Sequence, residues 1–341
     1  MFSQDPPLNP FDRWIRSLDQ SPRAQWLFYL VLPAVLIAGL HGLAWVCGAP
    51  PAGTFSLALS TTAVISIVLV GTIHHANRVA GRSLFCFRPA LAVSEAEFRR
   101  LHHDLTTVPT AALLAALPAG AVLLWLMIRT DPTFYGMLSA GLCSRPALLL
   151  VGWVNAVLIV LATYLSVRYL GQIRRLHAQA PAVNLFERGP LFAFSTLSSR
   201  LALMFAAFSY AWVLAYPTSL ENLPTSVYLL GVNLPLILVI FIYPLYGMHG
   251  RMVEEKQRLL EDSARRIQAA LAAFQSKDAP RAPAGVDPHR RLTSLIEEEN
   301  YLRKIPTWPW EPGTLTAVLT AVFLPLMLVV AQQVVRRYFS G

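Results

Sequence analysis

The chain has 341 residues, of which 55% are hydrophobic and only 14% are charged. Soluble domains carry about 25% charged residues, so this composition cannot cover the surface of a water-soluble protein of this length. The formal net charge of +9 fits the basic loops of a membrane protein. It does not indicate a nucleic-acid surface, because no basic stretch is interleaved with exposed aromatic residues. We expect the lipid bilayer, and no nucleic acid, as a partner.

Seven apolar segments are long enough to cross a hydrocarbon core of ~30 Å. They follow a polar segment, 1–24, which lacks the short apolar stretch of a secretory signal. The sequence therefore predicts an all-α, polytopic bundle with seven spans. These spans are 25–47, 54–74, 110–128, 147 onward, 201–216, 227–246 and 314–335.

Basic residues are concentrated in alternate connections, namely 75–108, 173–198 and the segment after span six, whereas CGAPPAG between spans one and two has no charge. Positive loops remain in the cytoplasm, so we expect a plasma-membrane protein with its N-terminus inside and its C-terminus outside. Arg336 and Arg337 lie on the predicted outer side and oppose this orientation weakly. The alternative is a re-entrant segment seven, bent at Pro325.

Spans four and six are longer than a membrane requires, which predicts cytoplasmic helical extensions of both. Beyond span six, apolar residues recur on one side of a charged helix, and a second amphipathic helix follows over 288–304. We expect an antiparallel hairpin over 251–304 that needs a further partner, for which the end of span four is the nearest candidate. The proposed interface and anchor residues of its first helix are Val253, Leu260, Ile267, Leu271 and Phe274.

The segment KIPTWPWEPGT joins the hairpin to span seven and holds three prolines and two tryptophans. Proline restricts the backbone, and tryptophan favours the membrane interface. We interpret this segment as a rigid elbow on the inner membrane surface, anchored by Trp308 and Trp310. The alternative is a simple anchored linker. The domain organisation is then 1–24, 25–250, 251–304 and 305–341.

No signature of a hydrolase, a nucleotide-binding loop or a metalloprotease is found, so we expect neither an enzyme nor a cofactor. The apolar segments also lack Asp, Glu and Lys, which argues against a proton-coupled pump. The best metal candidate, which we do not favour over helix capping at the interface, consists of five residues near the inner ends of spans two and three. They are His74, His75, His102, His103 and Asp104.

Several polar residues fall inside apolar segments. We expect His41, Asn155 and Asn233 to hydrogen-bond to neighbouring helices. Gln332 and Gln333 in span seven are candidates for lining a pore, with interhelical hydrogen bonding as the alternative. Cys47 and Cys143 both lie near the predicted outer face, but this proximity alone does not lead us to expect a disulfide.

YPLYGMHGRMVEEKQRLL and KIPTWPWEPGTL resemble segments of a group of prokaryotic membrane proteins that carries no assigned activity. The architecture is similar to that of the seven-transmembrane ion channels of the insect odorant and gustatory receptor type. In that family the inner extensions join four subunits and span seven lines the pore. Gln332, after an apolar run, matches one residue of the span-seven motif, while Pro325 and Gln333 depart from it.

The leading hypothesis is an oligomeric, channel-like membrane protein, with a tetramer favoured and a small-molecule ligand as a candidate gating partner. The resemblance implies that the hairpin joins subunits and that span seven borders a central path. The first alternative is a non-conducting signalling or scaffold protein whose hairpin binds a soluble partner. The second is an interfacial metalloenzyme that uses the histidine pairs.

Overall fold

All regular structure in the described part of the chain is helical. The computed structural model describes residues 8–48, 50–130, 136, 138, 143–180, 184–215, 234–275, 288–310, 313–323 and 327. Its helices are α1 Pro10–Gln20, α2 Pro22–Val46, α3 Leu57–Phe87, α4 Glu95–Thr106, α5 Thr110–Thr130, α6 Arg145–Gln179, α7 Arg188–Phe192, α8 Ser195–Ala215, α9 Leu234–Gln275, α10 Pro288–Lys304 and α11 Thr314–Phe323.

Six of these helical stretches are long and apolar enough to cross a membrane. They contain α2, α3, α4 with α5, α6, α8 and α9. The multi-pass membrane architecture expected from the sequence is therefore supported over the described residues. Of the predicted seventh span, 314–335, only α11 and Met327 are described, so a full seventh crossing and the position of the C-terminus stay predictions.

The helix α3 lies at the centre of the bundle and contacts α2, α4, α6 and α8. In its most apolar window 56% of the residues are buried, compared with 17% for α2 and for the α4–α5 stretch. The helices α2 and α5 expose large apolar side chains, including Trp26, Val122 and Trp125. Such a surface is stable only against lipid or another protein.

Close helix contacts depend on small residues. The contact of α5 with α6 passes over Gly120, where an added Cβ would stand 2.5 Å from Val157 Cγ2 and 2.8 Å from the Val157 backbone nitrogen. Glycine at such a crossing lets two backbones approach closely, as is usual between helices in lipid. The same reasoning applies where Tyr29 of α2 packs at Gly71 of α3.

The end of the bundle that holds the connections 75–108, 173–198 and 251–304 is called here the basic end. The predicted long extensions of spans four and six are present as α6, with 35 residues, and α9, with 42 residues. The predicted second span ends at His74, but α3 continues as a helix to Phe87. The half of α3 nearer the basic end is buried among α4, α6, α7 and α8, so tertiary packing stabilises a helix that the polar sequence did not reveal.

At the opposite end, Cys47 and Cys143 form a disulfide, with their Cα atoms 5.7 Å apart. This corrects the expectation that the two cysteines are unpaired. The bond joins the end of α2 to the segment before α6 across 96 residues of sequence. Disulfides persist in oxidising compartments, which is the environment expected at the predicted outer end, and the orientation of the chain stays a prediction.

Candidate functional site

The best-defined polar contacts of the basic end lie at the junction, defined here as the end of α6, the middle of α9 and residues 305–310. The helix α9 continues through Pro244 and contacts α6, α8 and α10. It therefore passes without interruption from the apolar bundle into the charged hairpin. The predicted hairpin and elbow are adjacent in the sequence. The junction is where they contact each other in the structure, and these contacts were not predicted.

Arg251 fixes the end of α6 to α9. Its two terminal guanidinium nitrogens donate hydrogen bonds to the backbone oxygens of His177 and Ala180. The last carbonyls of a helix have no partner within it, and a cation there also complements the helix dipole. The ring of His177 is itself buried between Phe87 and Phe194, with both ring centroids 5.4 Å away.

Lys256 attaches the end of α10 to α9 in the same way, by donating to backbone oxygens. Its Nζ donates to the backbone oxygens of Arg303, at 2.7 Å, and Ile305, at 2.8 Å, where α10 ends. Ten residues further along α9, Arg266 pairs with Glu298 at 2.9 Å. Because the later residue of α9 meets the earlier residue of α10, the two helices are antiparallel, as expected for a hairpin.

The elbow stacks on α9. The rings of His249 and Trp308 are parallel with centroids 3.9 Å apart, and Trp308 stacks in turn on Trp310 at 4.4 Å. Trp310 then contacts Phe241 in the apolar part of α9, and His249 Nδ1 lies 2.9 Å from the Thr307 oxygen. Residues 305–310 of the elbow are not helical, as the prolines predicted. Both tryptophans contact α9, and their role as membrane anchors stays a prediction.

The predicted stripe of the hairpin is unevenly covered. Val253, Leu260 and Ile267 are half-buried, whereas the Leu271 side chain is 39% exposed. Phe274 lies in α9, but its side chain is outside the described set. On α10, Ile296 is 44% exposed, so an apolar surface is left open near the far end of the hairpin.

The histidine pairs have protein partners. His74 lies 3.0 Å from Asp19 Oδ1 through Nε2 and 2.9 Å from the Tyr29 hydroxyl through Nδ1. His75 Nε2 lies 2.9 Å from Arg200 of α8. These contacts connect α3 to α1, α2 and α8. Asp19, Tyr29 and Arg200 are distant in sequence, so no local pattern identified them.

The second pair lies on α4. The His102 ring packs against Phe85 with a centroid distance of 5.3 Å and lies over Gly81. The backbone oxygen of Asp104 accepts hydrogen bonds from Arg168 and Gln172 of α6. Among the described residues, no group of three His, Cys, Asp or Glu side chains could hold a metal ion. His103, the remaining member of the proposed set, lies in the last turn of α4 and accepts through its backbone oxygen from Thr107.

The N-terminal helix α1 is attached to the bundle by a buried carboxylate. Asp12 is 3% exposed, and its Oδ2 accepts from the Val108 backbone nitrogen at 3.0 Å and from Asn9 Nδ2 at 2.8 Å. Burial raises the pKa of the Asp12 carboxyl above its ordinary value of 3.8, although the hydrogen bond from Val108 acts in the opposite direction. This contact fixes α1 across the turn between α4 and α5.

Polar residues inside the spans serve helix packing. Asn155 donates to the Thr62 oxygen of α3 at 2.8 Å, as expected for an interhelical hydrogen bond. His41 Nε2 accepts from the backbone nitrogen of Ser56, the N-cap of α3, at 3.1 Å. Asn233 and the pore candidates Gln332 and Gln333 lie outside the described residues.

The best-formed cavities in the described part of the chain are about as large as one water molecule. One lies between Asn155, Thr62 and Trp212, and the other lies near Tyr301 at the junction. Neither is large enough for a substrate. No family model, curated protein or solved structure matches this chain.

Proposed function

We propose that this chain is the subunit of an oligomeric, channel-like membrane protein. Its spans seal against lipid, the hairpin joins neighbouring subunits, and span seven borders a path between them. A tetramer with its N-terminus in the cytoplasm and its C-terminus outside is the favoured assembly. A small molecule that binds the assembly is the candidate gating ligand.

The observation that carries this proposal is the open apolar surface on the hairpin. Leu271 and Ile296 are 39% and 44% exposed, although they lie in a charged region that faces water. Tyr301, nearer the junction, is 56% exposed. Grouped apolar side chains in water favour contact with another protein surface. A second subunit would present the same surface, as in symmetric oligomers.

The contacts that attach the hairpin to the rest of the protein also support assembly. Arg251, Lys256 and the stack of His249 on Trp308 connect it to α6 and to the elbow. A surface held in a fixed orientation loses less conformational entropy on association than a flexible one. The hairpin can therefore set the spacing and angle of neighbouring subunits.

The composition of the spans supports a passive path over a coupled one. The apolar stretches of α2, α3, α5, α6, α8 and α9 contain no Asp, Glu or Lys that could relay protons. The water-sized cavities within one subunit suggest that a path would lie between subunits. Span seven, with Gln332, is the segment available to border it.

The test combines the mass of the purified particle with conductance in planar bilayers. We expect a defined oligomer that conducts ions, and we expect Gln332→Leu to change the unitary conductance more than Gln333→Leu does. Leu271→Glu with Ile296→Glu should dissociate the oligomer. Gln268→Glu with Asn300→Asp, which adds the same two negative charges at exposed positions of α9 and α10, is the matched control. A monomeric particle with silent bilayers would refute the proposal.

The second candidate is a scaffold protein, which the charged tip of the hairpin favours. Arg290 and Arg291 are exposed in the first turn of α10, and this positive charge suits an acidic soluble partner. The same double substitution separates the two candidates. A scaffold would keep its oligomeric mass and lose binding of the partner, whereas the channel-like protein would lose its assembly.

A further inference from the structure

The half of α3 nearer the basic end is buried except for one narrow stripe. Between Ile73 and Phe87, the exposed residues are His75, Arg78, Arg82, Phe85 and Cys86. At about 100° per residue, His75, Arg78 and Arg82 lie within an arc of about 60° on the helix surface. The stripe therefore presents three basic side chains in a row from a helix that is otherwise enclosed.

Neighbouring helices form walls on both sides of this stripe. On one side, Asp19 at the end of α1 lies 3.5 Å from Arg78, and Phe85 contacts Phe98 of α4 at 5.3 Å. On the other side, Arg200 of α8 lies 2.9 Å from His75. The stripe is thus the floor of a groove, which we call the arginine groove.

The arginine groove has an excess of positive charge. Arg78, Arg82 and Arg200 are all close enough to act electrostatically on His75. Over the described ranges, Asp19 is the sole carboxylate within ion-pair distance of these arginines, and it contacts Arg78 alone. Arg82 and Arg200 have no carboxylate partner there. Guanidinium groups gathered in this way bind a phosphate well, because their planar donors match its oxygens.

The groove continues into an apolar track. Val68 precedes His75 by two helical turns, lies on the same line of α3, and is 50% exposed. His75 is about 27 Å along the helix from Leu57, which is close to the thickness of the hydrocarbon core. The basic residues thus lie at the depth of headgroups, and Val68 lies at the depth of acyl chains. A free phosphate would contact the basic residues alone.

We propose that the arginine groove binds an anionic phospholipid of the leaflet at the basic end. Arg82 and Arg200 hold its phosphate, Arg78 stands beside them, and an acyl chain follows α3 past Val68. The lipid lies between α1, α3, α4 and α8, so it joins the N-terminal helix to the central bundle. This site does not depend on whether the protein conducts ions.

The test measures binding of phosphatidylglycerol and phosphatidylcholine to the purified full-length protein by native mass spectrometry. We expect phosphatidylglycerol to bind more tightly, and Arg82→Gln and Arg200→Gln each to weaken its binding about fivefold. Arg82→Lys keeps the charge but lacks the planar donors, so its binding should lie between that of the native chain and that of Arg82→Gln. Arg99→Gln, an exposed arginine on α4 at the same end, is the matched control and should change binding less than about twofold.

Three outcomes would overturn the proposal. Equal binding of the two lipids, which both contain a phosphate, would show that the groove does not select a headgroup with a net negative charge. An equal loss in Arg99→Gln would indicate diffuse attraction to a basic surface. Binding of inorganic phosphate with the same dependence on Arg82 and Arg200 would assign the groove to a soluble ligand. Val68→Asn tests the proposed path of the acyl chain. This substitution should weaken binding of phosphatidylglycerol without changing any binding of inorganic phosphate.

Discussion

The two ends of the bundle are fixed in different ways. At the end opposite the basic end, the disulfide between Cys47 and Cys143 joins the end of α2 covalently to the segment before α6. His41 also accepts a hydrogen bond there from the N-cap residue of α3. At the basic end, the long connections are held by side chains that donate to backbone carbonyls, as Arg251 and Lys256 do. A covalent bond is insensitive to salt, whereas interactions of partly exposed charges are screened by it. The molecule therefore has one end of fixed geometry and one end that conditions can adjust.

The largest expected effect is at the fixed end. Replacing Cys47 and Cys143 together by alanine should lower the free energy of unfolding by about 2–4 kcal/mol, because the disulfide closes a long loop. Thermal unfolding in lipid nanodiscs, with and without reductant, measures this. Reductant should destabilise the native chain and leave the double variant unchanged. Equal destabilisation of both would show that the bond does not fix this end.

At the basic end, Arg251→Met should cost about 2 kcal/mol, because two hydrogen bonds from a charged donor to the end of α6 are lost. The matched control is Arg258→Met, which removes an exposed i,i+3 pair with Glu255 on the same helix. That control should leave the stability nearly unchanged, because an exposed ion pair contributes little. Similar losses in both variants would contradict the capping role of Arg251.

The pH dependence of the adjustable end should come in part from Asp12. Because burial raises its pKa in the fold, the folded chain holds this proton more tightly than the unfolded chain does. Its stabilising contribution is present below the unfolded pKa of 3.8 and is lost as the pH rises through the folded pKa. Asp12→Asn should therefore remove part of the gain in α1 protection on acidification, measured by hydrogen exchange.

The matched control for this experiment is Asp262→Asn, which changes an exposed carboxylate on α9. It should leave the pH profile of α1 unchanged. A profile of Asp12→Asn that coincides with that of the native chain would mean that another group controls the attachment of α1.

The smallest effect is expected at the surface pair of the hairpin. Arg266 and Glu298 are 51% and 41% exposed, so Arg266→Gln should cost less than about 1 kcal/mol and less still at high salt. Chemical unfolding at low and high salt measures this difference. A loss of stability as large as that of Arg251→Met would show that the exposure of a contact at the basic end does not determine how much it stabilises the fold.

Sequence reasoning succeeded where composition alone decides the outcome. An apolar run of about 20 residues has few alternatives to a membrane helix, so six predicted spans correspond to helices of sufficient length and hydropathy. The antiparallel hairpin was also predictable, because its apolar spacing extends beyond the membrane. The exposed position of Leu271 was not, since periodicity gives the direction of a side chain and does not show what covers it.

The polar contacts of the basic end could not be predicted, because they depend on packing. The second part of α3 contains His75, Arg78 and Arg82, and these residues indicated a loop by their charge. Their spacing of three and four residues was nevertheless helical. Asp19 and His74 are 55 positions apart, and Cys47 and Cys143 are farther still. Such pairs meet only through tertiary structure, since a disulfide requires its two Cα atoms to lie within about 7 Å.

The continuity of α9 through Pro244 makes this helix a lever. From Met248 to Gln275 it extends about 40 Å, so a tilt of about 10° within the bilayer swings its tip by roughly 7 Å. A tilt of the apolar half within the bilayer would thereby be carried along the helix to its charged half. Such a tilt would reach the tip of the hairpin as a larger displacement than it causes at the membrane surface.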